Sequence, residues 1–124
     1  MTNPNKTKGD VFERLLRDHL AAAGFLVSRT RAGYERDYGD IHVLGDGHGP
    51  TVIFQAKNHR AHALGEWLTA TALQCDQAGA RHGVLVVKRR GVGAPGRQYA
   101  VMELDDLIAL LREAGYATET GEQA

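Results

Sequence analysis

The sequence predicts an α/β fold with a mixed central sheet, its elements in the order α-β-β-β-α-β-β-α. An apolar stripe with helical spacing runs through residues 9–23, and two stretches, 40–43 and 52–57, alternate apolar and polar residues. Residues 84–87 form a continuous apolar run. Helical spacing indicates an amphipathic helix, alternation indicates a half-buried strand, and a short apolar run is typical of a central strand buried on both faces.

The first half of the chain is predicted to form one helix and three strands. The helix covers residues 9–23, and Gly24 ends it because glycine readily adopts the left-handed conformation that follows many helices. Residues 25–29 are typical of a short strand, and residues 30–38 of a polar, charged loop. The two alternating stretches then form a β-hairpin, because the turn between them is rich in glycine.

The second half is predicted to add a helix, two strands and a closing helix. Gly79 ends the first of these helices, and Gly115 ends the second. Asp105 or Asp106 is expected to cap the closing helix, since a carboxylate accepts hydrogen bonds from the free N–H groups of the first turn. The predicted bounds are 64–78 for the helix, 83–88 and 98–103 for the strands, and 105–114 for the closing helix.

Length and composition indicate one domain spanning residues 1–124, with a flexible N-terminus at 1–7 and an acidic tail at 117–124. The 124 residues are 43% hydrophobic and 24% charged, as in ordinary globular proteins. No apolar run approaches the roughly 20 residues that span a bilayer, so no membrane association is expected. Cys75 is the single cysteine, which excludes an intramolecular disulfide and favours the cytoplasm.

Basic residues are concentrated in the body of the chain. The full sequence has 15 Lys and Arg against 15 Asp and Glu, but residues 1–101 hold 14 basic and 9 acidic residues, a balance of +5. Residues 102–124 hold 1 and 6, so an acidic tail masks a basic body. Clusters of positive charge suit phosphate contacts, although many are only solvated surface. The residues predicted to contact nucleic-acid phosphates are Arg29, Arg31, Arg36, His59, Arg60, Lys88, Arg89 and Arg90.

The hairpin brings together the residues with the strongest chemical signal. If it closes symmetrically on its turn, Asp40 lies directly across from Gln55, with Cβ atoms roughly 5 Å apart. Lys57 lies two residues further on the same face, because side chains alternate along a strand. A carboxylate, an amide oxygen and an ammonium group then share one patch, which suits a hard cation beside a positive charge. Phosphodiester cleavage needs this combination.

Glu13 is a further candidate from the first helix. It precedes Leu16 and Leu20 by three and seven residues, which places it at the border of the apolar stripe. It could simply favour the helix dipole from the N-terminal half of the helix. Alternatively, its carboxylate points at the sheet and acts as a metal ligand or orients a water molecule beside Asp40 and Gln55.

Taken together, these residues resemble the motif of the PD-(D/E)XK nuclease superfamily. Glu13 lies on a leading helix, Asp40 opens a strand, and Gln55-Ala56-Lys57 follows on the next strand, before a helix and an apolar strand. The arrangement is most similar to the archaeal and phage Holliday-junction resolvases, and its Gln-Ala-Lys form resembles the Mrr-type restriction enzymes. The likeness covers about residues 8–90. Gly39 stands where the motif has proline.

The resemblance implies a restriction-endonuclease-like core and a divalent-metal nuclease. Asp40, Gln55 and the backbone carbonyl of Ala56 are the implied ligands, with Glu13 as a possible addition, and Lys57 completes the catalytic set. Mg²⁺ is the expected cofactor and Mn²⁺ is expected to substitute for it. Independent chemistry agrees, because Mg²⁺ takes oxygen ligands and retains several waters, so that few protein ligands suffice.

The most specific hypothesis is a homodimeric Holliday-junction resolvase in the cytoplasm of a prokaryotic or phage-infected cell. Resolving a four-way junction needs two opposed cuts, so one small active site implies two subunits. One alternative is a restriction-type or repair nuclease acting on duplex DNA. The other is a DNA-binding module that kept the fold without catalysis, which a magnesium-dependent nicking assay would separate from an enzyme.

Other patterns carry weaker signals. Residues 91–96 match a dinucleotide-binding G-x-G-x-x-G motif, but Pro95 lies within it and no helix is predicted to follow, so a loop is the better interpretation. His59 and His62 lack further ligands at zinc-binding spacing. Trp67 is expected to make core or dimer contacts, and Cys75 to pack as a small hydrophobic residue.

Overall fold

Three helices and five strands form the part of the chain that the computed structural model describes, residues 4–29, 40–45 and 50–118. The side chains of residues 4–6, 29, 40 and 50 lie outside this description. The predicted order α-β-β-β-α-β-β-α is confirmed. The helices are α1 (Pro4–Ala22), α2 (Leu64–Ala78) and α3 (Leu104–Glu113), and the strands are β1 (Leu26–Arg29), β2 (Asp40–Leu44), β3 (Pro50–Lys57), β4 (His82–Val87) and β5 (Tyr99–Val101).

The strands form one mixed sheet in the spatial order β1-β2-β3-β4-β5. Neighbouring strands are antiparallel except β3 and β4, which are parallel and are connected through α2. Parallel neighbours need a long crossover connection, and the α2 helix provides it. The C-terminal ends of β3 and β4 therefore lie side by side at the same end of the sheet.

Helix α1 covers one face of the sheet and forms the main hydrophobic core there. Phe12 and Leu16 of α1 are buried in a cluster with Ile41 of β2 and with Val84 and Val86 of β4. Partly buried apolar residues of β3 pack against the same cluster. All six residues of β4 are buried, as the apolar run predicts for a central strand covered on both faces.

Helix α2 covers the opposite face and approaches the sheet most closely at Gly83. A Cβ atom added to Gly83 would lie 3.2 Å from side-chain carbons of both Thr71 and Cys75, so a larger residue would push the helix away. Cys75 is 8% exposed, and its thiol donates a hydrogen bond to the Ala80 carbonyl at 3.3 Å. Burial raises the pKa of the Cys75 thiol, aided by Asp106 and Asp76. The predicted role of Cys75 as a packing residue is confirmed.

The helix bounds agree with the sequence prediction at most ends. Helix α2 has the predicted bounds and ends at Gly79, which adopts the left-handed conformation with φ of 68°. Helix α1 begins at Pro4, five residues before the predicted start, so residues 4–7 of the expected flexible terminus are helical. Proline is favoured in the first helical turn, where its missing N–H costs nothing. Among the described residues, no helix has the length and hydrophobicity needed to cross a membrane.

The predicted cap of α3 is wrong. The capping residue is Glu103, without a side-chain hydrogen bond, and Asp106 instead reaches β4. Its two oxygens accept hydrogen bonds from the ring of His82 at 2.5 Å and from the backbone N–H of Gly83 at 3.0 Å. The other ring nitrogen of His82 lies 2.6 Å from Glu113, at the end of α3. His82, 2% exposed, thus connects both ends of α3 to the sheet.

This arrangement predicts that His82 makes the stability of the protein depend on pH. Burial alone would lower the pKa of His82, but the hydrogen bonds and charges of Asp106 and Glu113 outweigh burial and raise it above 6.5. A raised pKa in the folded state stabilises the fold fully below pH 6.5, and this contribution is lost as pH rises through the folded-state pKa. We expect His82→Gln to lower the free energy of unfolding by about 2 kcal/mol at pH 6 and by less at pH 9. Urea denaturation at both pH values measures it, and an equal loss at both would contradict it.

Candidate active site

The hairpin places Asp40 directly across from Gln55, as the sequence predicts. The register pairs Asp40 with Gln55 and Val43 with Val52, and it shifts only beyond Val43, where Leu44 pairs with Pro50. The symmetrical closure is therefore confirmed along the part of the hairpin that carries the candidate site. The side chain of Asp40 lies outside the described residues, so its placement here rests on the backbone register.

Gln55 is held at the interface between the sheet and α2. It is 5% exposed, and its side-chain oxygen lies 2.6 Å from the hydroxyl of Thr71, which donates a hydrogen bond to it. Thr71 is fully buried on α2. The same hydroxyl lies 2.8 Å from the backbone carbonyl of Trp67, one turn earlier in the helix. The amide of Gln55 is thus oriented by α2 and not by solvent.

Lys57 extends from the same face of β3 toward the start of α2. Its ammonium nitrogen lies 5.8 Å from the centre of the Trp67 ring, within the range of a cation–π interaction. The rings of His59 and His62 lie 5.2 Å and 6.1 Å from the same indole. Trp67 therefore belongs to the candidate site, where the sequence predicted a core or dimer contact.

Burial and two neighbouring lysines favour the neutral form of His59. Burial lowers the pKa of His59, and the positive charges of Lys57 and Lys8 lower it further. Lys57 belongs to β3 and Lys8 to α1, so positive charge from both elements acts on this imidazole. A neutral imidazole beside Lys57 leaves the lysine as the main positive charge against the indole.

The backbone of β3 directs a further oxygen toward Asp40. The carbonyl of Lys57 accepts a hydrogen bond from the N–H of Lys88 at 2.9 Å, so it points toward the β4 side. Carbonyl groups alternate in direction along a strand, so the carbonyl of Ala56 points toward the β2 side, where Asp40 begins its strand. A carboxylate, an amide oxygen and a carbonyl are ligands that Mg²⁺ accepts, and the residues present therefore fit this ion chemically.

Glu13 faces the interior of the protein and not the solvent. It is 1% exposed, between the buried residues Phe12 and Leu16, and one of its oxygens lies 3.6 Å from the guanidinium of Arg17. Arg17 lies one turn later on the same helix and provides an opposite charge for this buried carboxylate. The part of Glu13 in the candidate site remains a prediction.

That prediction is tested by the isosteric change Glu13→Gln. We expect the cleavage rate to fall about tenfold or more, as for residues that orient a ligand or a water molecule, with little change in melting temperature. Asp18→Asn is the matched control, because Asp18 is an exposed carboxylate on the same helix. A Glu13→Gln protein with wild-type turnover would restrict Glu13 to a structural role.

The basic cluster after β4 is partly engaged in structure. The ammonium of Lys88 donates hydrogen bonds to the carbonyls of Arg89 and Val92, at 2.8 Å and 2.7 Å. The guanidinium of Arg89 lies 5.7 Å from the centre of the Tyr99 ring. Lys88 therefore braces the loop that it begins, whereas Arg90 and Arg60 are exposed at the same end of the sheet as Lys57. Of the other predicted DNA contacts, Arg31, Arg36 and the side chain of Arg29 lie outside the described residues.

The glycine-rich loop at residues 91–96 is held in place by the side chain of Gln98. Gln98 accepts a hydrogen bond from the N–H of Arg89 at 2.6 Å and donates to the carbonyls of Val92 and Ala94. A short 3-10 turn at Pro95–Arg97 follows, then β5, so this segment is a loop between two strands, as the sequence predicts. Among the described side chains, to which that of Asp40 does not belong, no three His, Cys, Asp or Glu residues are grouped so that they could hold a metal ion.

Comparison with known families gives a match over most of the chain. The model of the Mrr catalytic domain, described as a restriction endonuclease, matches residues 4–114. This range includes α1, the whole sheet and α2, and with them all four predicted catalytic positions. No curated protein matches the sequence significantly.

Proposed function

The chain belongs to the Mrr-type restriction endonuclease family, and on that premise we propose that it is a Mg²⁺-dependent DNA endonuclease that resolves Holliday junctions as a homodimer. The family match confirms the predicted resemblance to the PD-(D/E)XK nucleases and supports DNA as the substrate. The single observation that carries the proposal is the register of the hairpin. It sets Asp40 opposite Gln55, with Lys57 two residues further along the same strand face.

The ion-binding residues in this proposal are Asp40, Gln55 and the carbonyl of Ala56. When bound, Mg²⁺ would neutralise charge on the scissile phosphate and would ease the loss of a proton from the attacking water. Gln55 would give the ion a neutral oxygen ligand, so Asp40 would be the negatively charged ligand on the two strands. Glu13 is proposed to orient the water or to add a ligand from α1.

Lys57 is proposed to act on the phosphate itself. Its ammonium lies beside Trp67 and carries three hydrogen-bond donors on a flexible side chain. Placed against the phosphate, it would stabilise the charge that grows on the non-bridging oxygens during cleavage, or orient the attacking water. The exposed Arg60 and Arg90 would hold the flanking phosphates, where they fix the register of the DNA.

The apolar face of α3 supports the homodimer. Leu104, Leu107, Ile108 and Leu111 follow helical spacing along one face, yet they are 37–69% exposed. Symmetric pairing of two such helices would bury this face against itself, as in an isologous interface. Two subunits would supply the two active sites that opposed cuts in a four-way junction require.

The proposal is tested by comparing a synthetic four-way junction with its constituent duplex. We expect magnesium-dependent, paired cuts in the junction, and tighter binding of the junction than of the duplex when the metal is chelated with EDTA. Sedimentation should give a dimer. Absence of cleavage of either DNA, with Mg²⁺ or Mn²⁺, would favour a binding module of the same fold.

A second candidate function is cleavage of duplex DNA. The family description, restriction endonuclease, favours a restriction-type or repair nuclease that acts on ordinary or modified duplex. Equal affinity for junction and duplex, from a protein that sediments as a monomer, would decide for this alternative.

A further inference from the structure

We infer that Thr71 and Trp67 of α2 are positioning residues for Gln55 and Lys57. Thr71 would orient the metal-binding amide, and Trp67 would hold the lysine. The inference rests on the proposed function, because it assigns a task to residues that act through the proposed ligand and the proposed charge donor. Neither Thr71 nor Trp67 belongs to the motif that connects the chain to its family.

The spacing of the two pairs matches the geometry of a helix beside a strand. Gln55 and Lys57 are two residues apart on β3, a rise of roughly 7 Å. Thr71 and Trp67 are four residues apart on α2, a rise of roughly 6 Å. Because α2 connects two parallel strands, it runs antiparallel to both, so that Trp67 meets Lys57 where Thr71 meets Gln55.

The contact between Thr71 and Gln55 fixes a side chain that is otherwise poorly determined. The last torsion of a glutamine is broad, so an isolated amide turns readily. The Thr71 hydroxyl, fully buried and 2.6 Å from the Gln55 oxygen, favours the orientation in which that oxygen accepts its proton. An amide oxygen has two lone pairs, so the second remains available for a metal ion. Fixing the amide before binding reduces the entropy that binding would otherwise cost.

The Thr71 hydroxyl has one proton and two neighbouring oxygens, so it can donate to only one of them at a time. The second neighbour is the carbonyl of Trp67, at 2.8 Å. A carbonyl inside a helix also accepts a backbone N–H, so the proton of Thr71 is not needed there and is available for Gln55. Thr69 shows the corresponding exposed case, since its hydroxyl donates only to the carbonyl of Gly65 at 3.0 Å.

The indole of Trp67 is itself held in place. His59 and His62 pack against it at 5.2 Å and 6.1 Å between ring centres. A rigid aromatic face 5.8 Å from the ammonium of Lys57 limits the conformations of a side chain with four rotatable carbons. The lysine is thereby kept at the edge of the site and not extended into solvent.

The experiment for Thr71 compares Thr71→Val, which has the same shape without the hydroxyl, with Thr71→Ser, which retains it. Mn²⁺ binding is measured by calorimetry, and the Mg²⁺ concentration for half-maximal cleavage is measured on the DNA that the wild type cleaves best. We expect Thr71→Val to weaken both about tenfold, and Thr71→Ser to restore them. Thr69→Val is the matched control, because it removes the same helical contact away from Gln55 and should change neither.

The substitution Gln55→Glu, which introduces a charged ligand, gives an independent test of the role of Thr71. A carboxylate attracts the ion more strongly than an amide and depends less on a preset orientation, so the effect of Thr71→Val should shrink in a Gln55→Glu background. Ordinary packing by Thr71 would give the same loss in both backgrounds. If Thr71→Val does not fold, Thr71→Ala, which is smaller and also lacks the hydroxyl, is compared with Thr71→Ser by ¹⁵N relaxation of the Gln55 side-chain amide in the metal-free protein. We expect a more mobile amide in Thr71→Ala than in Thr71→Ser, and equal mobility would overturn the role of the hydroxyl.

The experiment for Trp67 uses Trp67→Leu and separates rate from metal binding. We expect a cleavage rate at saturating Mg²⁺ about tenfold lower, with the Mn²⁺ affinity of the wild type. A loss of metal affinity without a loss of rate would overturn this half of the inference. Wild-type Mn²⁺ binding without DNA cleavage would refute the proposed function alone, whereas cleavage and binding that are both indifferent to Thr71→Val would refute the inference alone.

Discussion

Asp40→Asn is expected to lower Mg²⁺-dependent cleavage roughly 1000-fold while leaving DNA binding intact. The physical reason is the position of Asp40, the residue that the hairpin register sets against Gln55. Because Gln55 is neutral, loss of the Asp40 carboxylate removes the strand charge that would hold the ion and orient its water. The change preserves the shape of the side chain and removes one negative charge beside the phosphate, so binding with the metal chelated should stay constant or become tighter.

The measurement pairs a cleavage assay with a gel-shift assay in EDTA on the same DNA. Asp105→Asn is the control, because Asp105 is an exposed carboxylate on α3 and its loss changes the net charge equally. Cleavage by Asp40→Asn at the wild-type rate would show that the active site has been assigned to the wrong residues. A circular dichroism spectrum confirms that any loss is not a loss of folding.

Much of the fold could be predicted because local patterns and tertiary structure agree along this chain. The bounds of α2 were predicted correctly, since its apolar residues follow helical spacing and Gly79 provides the left-handed turn that ends it. Symmetrical closure of the hairpin predicts the register of Asp40 against Gln55, and this register holds as far as Val43 and Val52. The two strands must alternate in phase to cover one core, and a slip by one residue would expose the apolar face.

The contribution of α2 to the site could not be predicted from the same patterns. Thr71 lies in a helix rich in alanine and leucine, where a threonine indicates nothing by itself. Its importance depends on its contact with Gln55, sixteen residues earlier, which exists only once α2 lies on the sheet. Trp67 was predicted to be a core or dimer residue for a similar reason, because a tryptophan near the start of a helix suits both roles.

The error in the cap of α3 arises because a polar side chain has several possible partners. Aspartate is a common helix cap, but Asp106 instead pairs with buried His82. Leaving a buried ring nitrogen without a partner costs more free energy than leaving the first turn of α3 without a side-chain cap. The ammonium of Lys88 donates to two loop carbonyls, and its predicted contact with phosphate stays a prediction. Sequence shows which groups can form hydrogen bonds, whereas the fold decides which partners are within reach.

Lys57→Met is the second change with a large expected effect, a fall of roughly 100-fold or more in the cleavage rate at saturating Mg²⁺ and DNA. Methionine keeps an apolar side chain of similar length against Trp67 and removes only the charge. A charge aimed at the transition state acts there preferentially, so the affinity for DNA should fall far less than the rate. Single-turnover cleavage and binding in EDTA measure the two quantities separately.

Arg60→Met is the matched comparison for Lys57→Met, because it removes one positive charge from an exposed position three residues along the chain. A phosphate contact at Arg60 should weaken binding and flatten the dependence of log affinity on log salt concentration by roughly 0.9, with the single-turnover rate at saturation unchanged. If Lys57→Met instead behaves like Arg60→Met, losing affinity and not rate, Lys57 serves to hold the DNA. The transition-state charge would then have to come from another residue near the ends of β3 and β4, with exposed Arg90 as the first to test.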